Sequence, residues 1–138
     1  MSEDRTLFGD GRYPDNGALA VLARLAFVVS ALGIFAAIYL PLAWTPHFAR
    51  SHLLEHFAAF YVATLTGMAA MPRVRLRRIA GGYVAFATGL EALHLLSGAH
   101  IEPLVRNWVA DLGGLTAACA PVVFERFRRR FVLLPAAA

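Results

Sequence analysis

Leu25-AFVVSALGIFAAIYLPLA-Trp44 runs for twenty residues without a charge. A helix rises about 1.5 Å per residue, so roughly 20 apolar residues cross a hydrocarbon core about 30 Å thick. Arg24, just before the run, has a stem long enough to carry its guanidinium to the headgroups. Three more stretches read the same way. Leu53–Met71 has Glu55 and His56 in its first turn, Ile79–Ser97 carries Glu91 and His94, and Trp108–Phe124 has Asp111 near its start. The links between them are short, which predicts antiparallel packing of consecutive helices. The expected fold class is all-α, a four-transmembrane-helix bundle.

Composition agrees. Of 138 residues, 59% are hydrophobic and 16% charged, too apolar a balance for a soluble domain of this size. The net charge of +4 does not argue for nucleic acid, because the basic residues form short runs beside apolar segments instead of a solvated face interleaved with aromatics. Cys119 is the lone cysteine, which excludes an intrachain disulfide and a thiolate metal cluster. The first sixteen residues contain Asp4, Asp10 and Asp15 and do not read as the basic start of a cleaved leader, so the first apolar segment is expected to remain as a helix.

All thirteen basic residues are arginines, and they set the expected orientation. Arg73, Arg75, Arg77 and Arg78 link the second and third segments, and Arg126, Arg128, Arg129 and Arg130 follow the fourth. With Arg5, Arg12 and Arg24 this gives eleven on one side, against Arg50 and Arg106 on the other. Short cytoplasmic loops retain positive charge, so both termini are expected in the cytoplasm, N-in/C-in, with Trp44 and Trp108 at the outer interface. The resulting division is a cytoplasmic segment 1–17, a transmembrane domain 18–124 with helices at about 18–44, 53–71, 79–97 and 108–124, and a basic tail 125–138. The expected location is the bacterial inner membrane.

Small residues at helical spacing mark possible helix contacts, because close backbone approach strengthens packing in lipid. Ala23, Ala26, Ser30, Gly33 and Ala37 form one stripe; His56, Ala59, Ala63, Gly67 and Ala70 form a second; Gly113, Gly114, Ala117 and Ala118 form a third. Their reading is packing.

The chemistry resides elsewhere. An ionisable group within lipid costs a few kcal/mol, so it calls for a partner, water or a role. Under the expected topology these groups share the outer third of the protein: Glu55 and His56, Glu91 and His94, Asp111, and His47, His52, His100, Glu102, Arg106 and Asn107 in or beside the outer loops. Residues three or four apart share a helix face, which pairs His52 with His56, Glu91 with His94, and Asn107 with Asp111. Three pairs from three helices at one depth point to a binding pocket made of His52, Glu55, His56, Glu91, His94, Arg106, Asn107 and Asp111. Glu91-Ala-Leu-His94 has the Glu-x-x-His spacing of dimetal bundles, but those use two such motifs and more carboxylates. No metal ligand, cofactor or catalytic group is therefore assigned, and no phosphate loop, nucleophile elbow or paired-cysteine motif occurs.

These polar residues resemble the VanZ-like family of bacterial membrane proteins. Its members show Asp-Lys-x-x-His-Phe opening the second helix, Glu-x-x-Gln in the third and Asp-x-x-x-Asn-x-x-Gly opening the fourth. Here His56-Phe57, Glu91 and Gly114 match, while His52 and Leu53 occupy the Asp-Lys slots, His94 the Gln slot, and Asn107 and Asp111 the Asp and Asn slots. Of a Gly-Arg pair between the third and fourth helices, Gly98 remains, with His100 or Arg106 as candidates for the arginine. The likeness covers about Pro46 to Ala118. It implies a four-helix membrane fold and a link to low-level teicoplanin resistance. The expected function is binding of an envelope ligand, a lipid headgroup or cell-wall precursor, in an outward pocket, with membrane lipid as partner and no nucleic acid. Two readings stand beside it: a structural or accessory subunit of a larger membrane complex, and a metal-dependent membrane enzyme.

Overall fold

The computed structural model describes residues 16–39 and 51–131. Trp44, His47, Arg50, the expected end of the first helix at 40–44, and the arginines at 5 and 12 lie outside the described residues. Among the described residues the chain is entirely helical: α1 spans Ala18–Tyr39, α2 His52–Ala70, α3 Leu76–Leu96 and α4 Ile101–Arg129. All four are long and apolar enough to cross a membrane.

α4 departs most from the sequence expectation, beginning at Ile101 instead of Trp108 and ending at Arg129 instead of Phe124. Glu102, Arg106 and Asn107 interrupt the apolar run without interrupting the helix. Arg106 donates to Glu102 one turn back at 2.7 Å, and Pro103 sits in the first turn, where a missing N–H leaves no helical bond unmade. At the far end Glu125 accepts from Arg128 at 3.1 Å and Arg129 at 2.9 Å, which carries the helix past its apolar part. Basic side chains there also offset the partial negative charge of the helix terminus. The start of α3 moves in the same way, to Leu76, because Arg77 and Arg78 are good helix formers despite their charge.

Side-chain contacts fix the helix directions. Phe35 and Phe60 of α1 and α2 both meet Phe86 of α3. A Cβ on Gly67, near the end of α2, would touch Phe27 of α1 and Tyr83 of α3. α1 is therefore antiparallel to α2, and α2 to α3. α4 returns alongside α2 in the same direction, since His56 and Asp111 meet near the starts of both. One end of the bundle collects Arg24, the α2–α3 link with Arg73 and Arg75, Arg77, Arg78 and the end of α4; the other carries Arg106.

α2 is the hub, packing on α1, α3 and α4, and its contact with α4 is the most extensive. Phe60, Ala63, Thr64, Gly67 and Ala70 are its buried residues, so the small-residue stripe expected there does face neighbouring helices. Gly114 of α4 meets the backbone of α2 at Phe57 O, with Tyr61 N 2.9 Å from where its Cβ would stand. Only glycine permits that approach. The stripe expected on α1 is a correction: Ala26, Gly33 and Ala37 are exposed, and no atom lies within 4 Å of where a Cβ on Gly33 would be. Of that stripe Ser30 does meet α2, its hydroxyl 3.0 Å from that of Thr66, and Phe27 beside it supplies the rest of the α1–α2 contact. A polar bond and a ring fill the contact that small residues alone would have closed.

α3 ends in a Schellman turn. Ala99 N–H donates to His94 O at 3.1 Å and Gly98 N–H to Leu95 O at 3.0 Å, with Gly98 at φ +91°. This turn reverses the chain within four residues and brings the start of α4 beside the end of α3.

Candidate functional site

Three helices deliver one polar side chain each to a common point. His56 stands one turn into α2, Glu91 in the last third of α3 and Asp111 in the third turn of α4. One ligating atom of each lies within 4.8 Å of the other two. Asp111 is 1% exposed and Glu91 8%, so both carboxylates belong to the bundle interior.

The contacts within the cluster are unequal. His56 Nδ1 and Asp111 Oδ1 share a hydrogen bond of 2.8 Å, a short bond that ties α2 to α4. The His94 ring N–H at Nδ1 donates to Glu91 Oε2 at 3.4 Å, one turn along α3. That is the sole hydrogen bond of Glu91 among the described residues. A buried carboxylate with one long hydrogen bond is poorly compensated, since an ionised carboxylate offers about four acceptor sites.

A rim surrounds this core. The His52 ring meets the His56 ring edge to face, centroids 4.7 Å apart, and its Nδ1 is 3.5 Å from Glu55 Oε2. The His94 side chain is 45% exposed and joins buried Glu91 to the surface of the bundle. Asn107 lies one turn before Asp111, half-buried. α2 begins at His52, which places His52 and His56 on successive turns of one face, as the spacing required. Trp108 donates through Nε1 to Thr88 Oγ1 at 3.0 Å and fastens α4 to α3 beside the site.

Of the eight residues expected to line a pocket, His56, Glu91 and Asp111 come together; His94 meets Glu91, His52 meets His56 and Glu55, and Asn107 is half-buried one turn from Asp111. Arg106 is not brought in. Its side chain is largely exposed and pairs with Glu102, on a face of α4 turned away from Asp111. Helical geometry explains this, because positions 106 and 111 are five residues apart, about 140° around the axis.

One buried polar residue escaped the sequence reading. Thr64, two turns beyond His56 on α2, is fully buried, and its hydroxyl has no hydrogen-bond partner among the described residues. A threonine in an apolar run carries no signal that marks it as buried. An apolar cavity of about 370 Å³, lined by Phe27, Ile34, Phe35, Tyr83 and Phe86 with Arg78 among its walls, lies between α1, α2 and α3 and excludes the polar cluster.

The cluster can accept hydrogen bonds, exchange protons through its histidines, or hold a cation. No family model matches the chain, and neither a curated protein nor a solved structure matches it.

Proposed function

We propose that this chain is a diverged VanZ-like protein of the bacterial inner membrane, N-in/C-in, whose polar cluster opens outward and binds the polar head of an envelope ligand. The observation that carries this reading is the convergence of His56, Glu91 and Asp111 from three helices at the arginine-poor end of the bundle. Ionisable groups inside an apolar bundle are costly and mark sites of function more often than of packing. The positive-inside rule turns that end toward the envelope. Leu22, Leu25, Val29, Leu32 and Phe124 on the outer faces are exposed, as side chains in contact with acyl chains would be. The ligand class is a lipid headgroup or cell-wall precursor: its amide or hydroxyl donors would meet Glu91 and Asp111, and its acceptors His94 and His52.

The test is genetic. A strain lacking the chain is complemented with wild type, Glu91→Gln or Asp111→Asn, and teicoplanin susceptibility is compared at equal membrane abundance. Loss of complementation by both variants supports the reading; full complementation by both removes it.

The exposed small-residue stripe of α1, Ala26, Gly33 and Ala37, favours a second reading, an accessory subunit that packs this face against a helix of another protein. Purification in mild detergent separates the two. Stoichiometric co-purifying subunits lost on Gly33→Leu favour the subunit; a lone chain with bound lipid favours the pocket.

A further inference from the structure

We infer that His56, Glu91 and Asp111 form the three protein ligands of one divalent transition-metal ion of the zinc class. The inference deepens the reading of this cluster as a ligand site, and its test is arranged so that either can fail alone.

The donor set comes first. One imidazole and two carboxylates suit a borderline divalent ion, and three protein ligands are the number that leaves a coordination position open. The donor atoms come from three helices and converge to within 4.8 Å. Bonds of about 2.0–2.2 Å to a shared ion would set the donors roughly 3.4 Å apart, between the 2.8 Å of the His56–Asp111 pair and the 4.8 Å that bounds the cluster. His56 then binds through the Nδ1 lone pair in its Nε2–H form, and its present bond to Asp111 is replaced by two bonds to the same ion.

Charge is the second argument. Two carboxylates, 1% and 8% exposed, lie within reach of one another in a low-dielectric interior. A dication would balance both. Protons could also do so, but Glu91 would then keep a single 3.4 Å hydrogen bond, with its other oxygen unpartnered among the described residues.

The surroundings supply a third argument. Ligating carboxylates are themselves held by hydrogen bonds, and His94 donates to Glu91 in that way. Half-exposed His94 joins buried Glu91 to the surface, and an ion on three protein ligands would keep one coordination position open. A phosphate or carboxylate oxygen of an envelope ligand is the kind of group such a position accepts. The single Glu-x-x-His motif argued against a dimetal centre; a mononuclear site needs no second motif.

The experiment uses the full chain, purified in mild detergent through a tag free of histidine. Metal content is measured by elemental analysis, and binding of zinc and manganese chlorides is titrated after chelation. One ion per chain is expected. Glu91→Gln, Asp111→Asn and His56→Gln should each weaken binding by about a hundredfold or more, and His94→Gln, a positioning residue, by about 10- to 100-fold. Glu102→Gln, outside the cluster, should bind as wild type. Zinc should also raise the unfolding temperature of wild type and Glu102→Gln but not of Asp111→Asn, which keeps the test valid where a variant loses stability. Absence of stoichiometric metal together with no thermal effect of zinc or manganese overturns the inference, as does equal binding by the ligand variants. Absent metal with loss of teicoplanin complementation would sink the metal and spare the ligand pocket; bound metal with full complementation by both charge variants would do the reverse.

Discussion

His56 Nδ1 stands 2.8 Å from Asp111 Oδ1, joining two helices whose paired residues are 55 apart in the chain. The bond spans the most extensive helix contact of the bundle, and one turn further along Gly114 meets the α2 backbone at Phe57. The site and the tightest packing are thus neighbours. Changes in one can be read against changes in the other.

Asp111→Ala should destabilise the bundle by about 1–3 kcal/mol, because it removes the partner of a half-buried ring N–H. Asp111→Asn retains an acceptor and should cost less. Thermal unfolding in detergent measures both, and equal costs would show that the His56–Asp111 bond contributes nothing specific.

Packing and function should separate at the glycines. Gly114→Leu forces a side chain into the Phe57 carbonyl and the Tyr61 N–H, so α2 and α4 must part, with folded protein largely lost. Gly33→Ala meets open space in a helix interior and should leave the isolated chain as stable or more stable, by up to about 1 kcal/mol. Abundance and unfolding temperature of the two variants decide this; a Gly33→Ala chain as damaged as Gly114→Leu would contradict it.

Tyr83 donates to Ala63 O at 2.7 Å, across from Gly67. Tyr83→Phe should lose about 0.5–1.5 kcal/mol by removing one helix-to-helix hydrogen bond. Gly67→Ala would push the ring away, since its Cβ would come within 3.0 Å of the Tyr83 hydroxyl. In the double variant the two costs should be less than additive, and strict additivity would mean that the residues are not coupled.

The turn at Gly98 carries a backbone requirement. With φ at +91°, Gly98→Ala should cost about 1–2 kcal/mol and loosen the α3–α4 connection. Unfolding measurements test the cost, and an unchanged stability would show that the turn tolerates a Cβ.

Orientation is tested with single cysteines in a Cys119→Ser background. A thiol at position 101 should react with impermeant reagent in intact cells, and one at position 74 only after the inner membrane is broken. The opposite pattern would turn the cluster toward the cytoplasm and remove the envelope as its setting.

Four helices were legible because a long apolar run admits few other folds, and the polar residues at 52–56, 91–94 and 107–111 were legible because they interrupt or border those runs. Helix ends were not. Polar residues such as Glu102 and Arg106 end an apolar run, but the i to i+4 pairing between them prolongs a helix.

Period and spacing, which are local properties of the chain, determined that His52 follows the face of His56 and that His94 follows Glu91. Nothing local fixes how a helix is rotated against its neighbours. That rotation depends on which surfaces approach closest, and the bundle closes at Gly114 against α2, not at Gly33 of an equally plausible stripe on α1. Closure there turns Asp111 inward to His56 and leaves Arg106, on another side of the same helix, with Glu102 at the surface. The helices and the spacing of their polar groups are properties of the sequence; that His56, Glu91 and Asp111 face one another follows from packing, because convergence of three helices is set by steric fit between segments far apart in the chain.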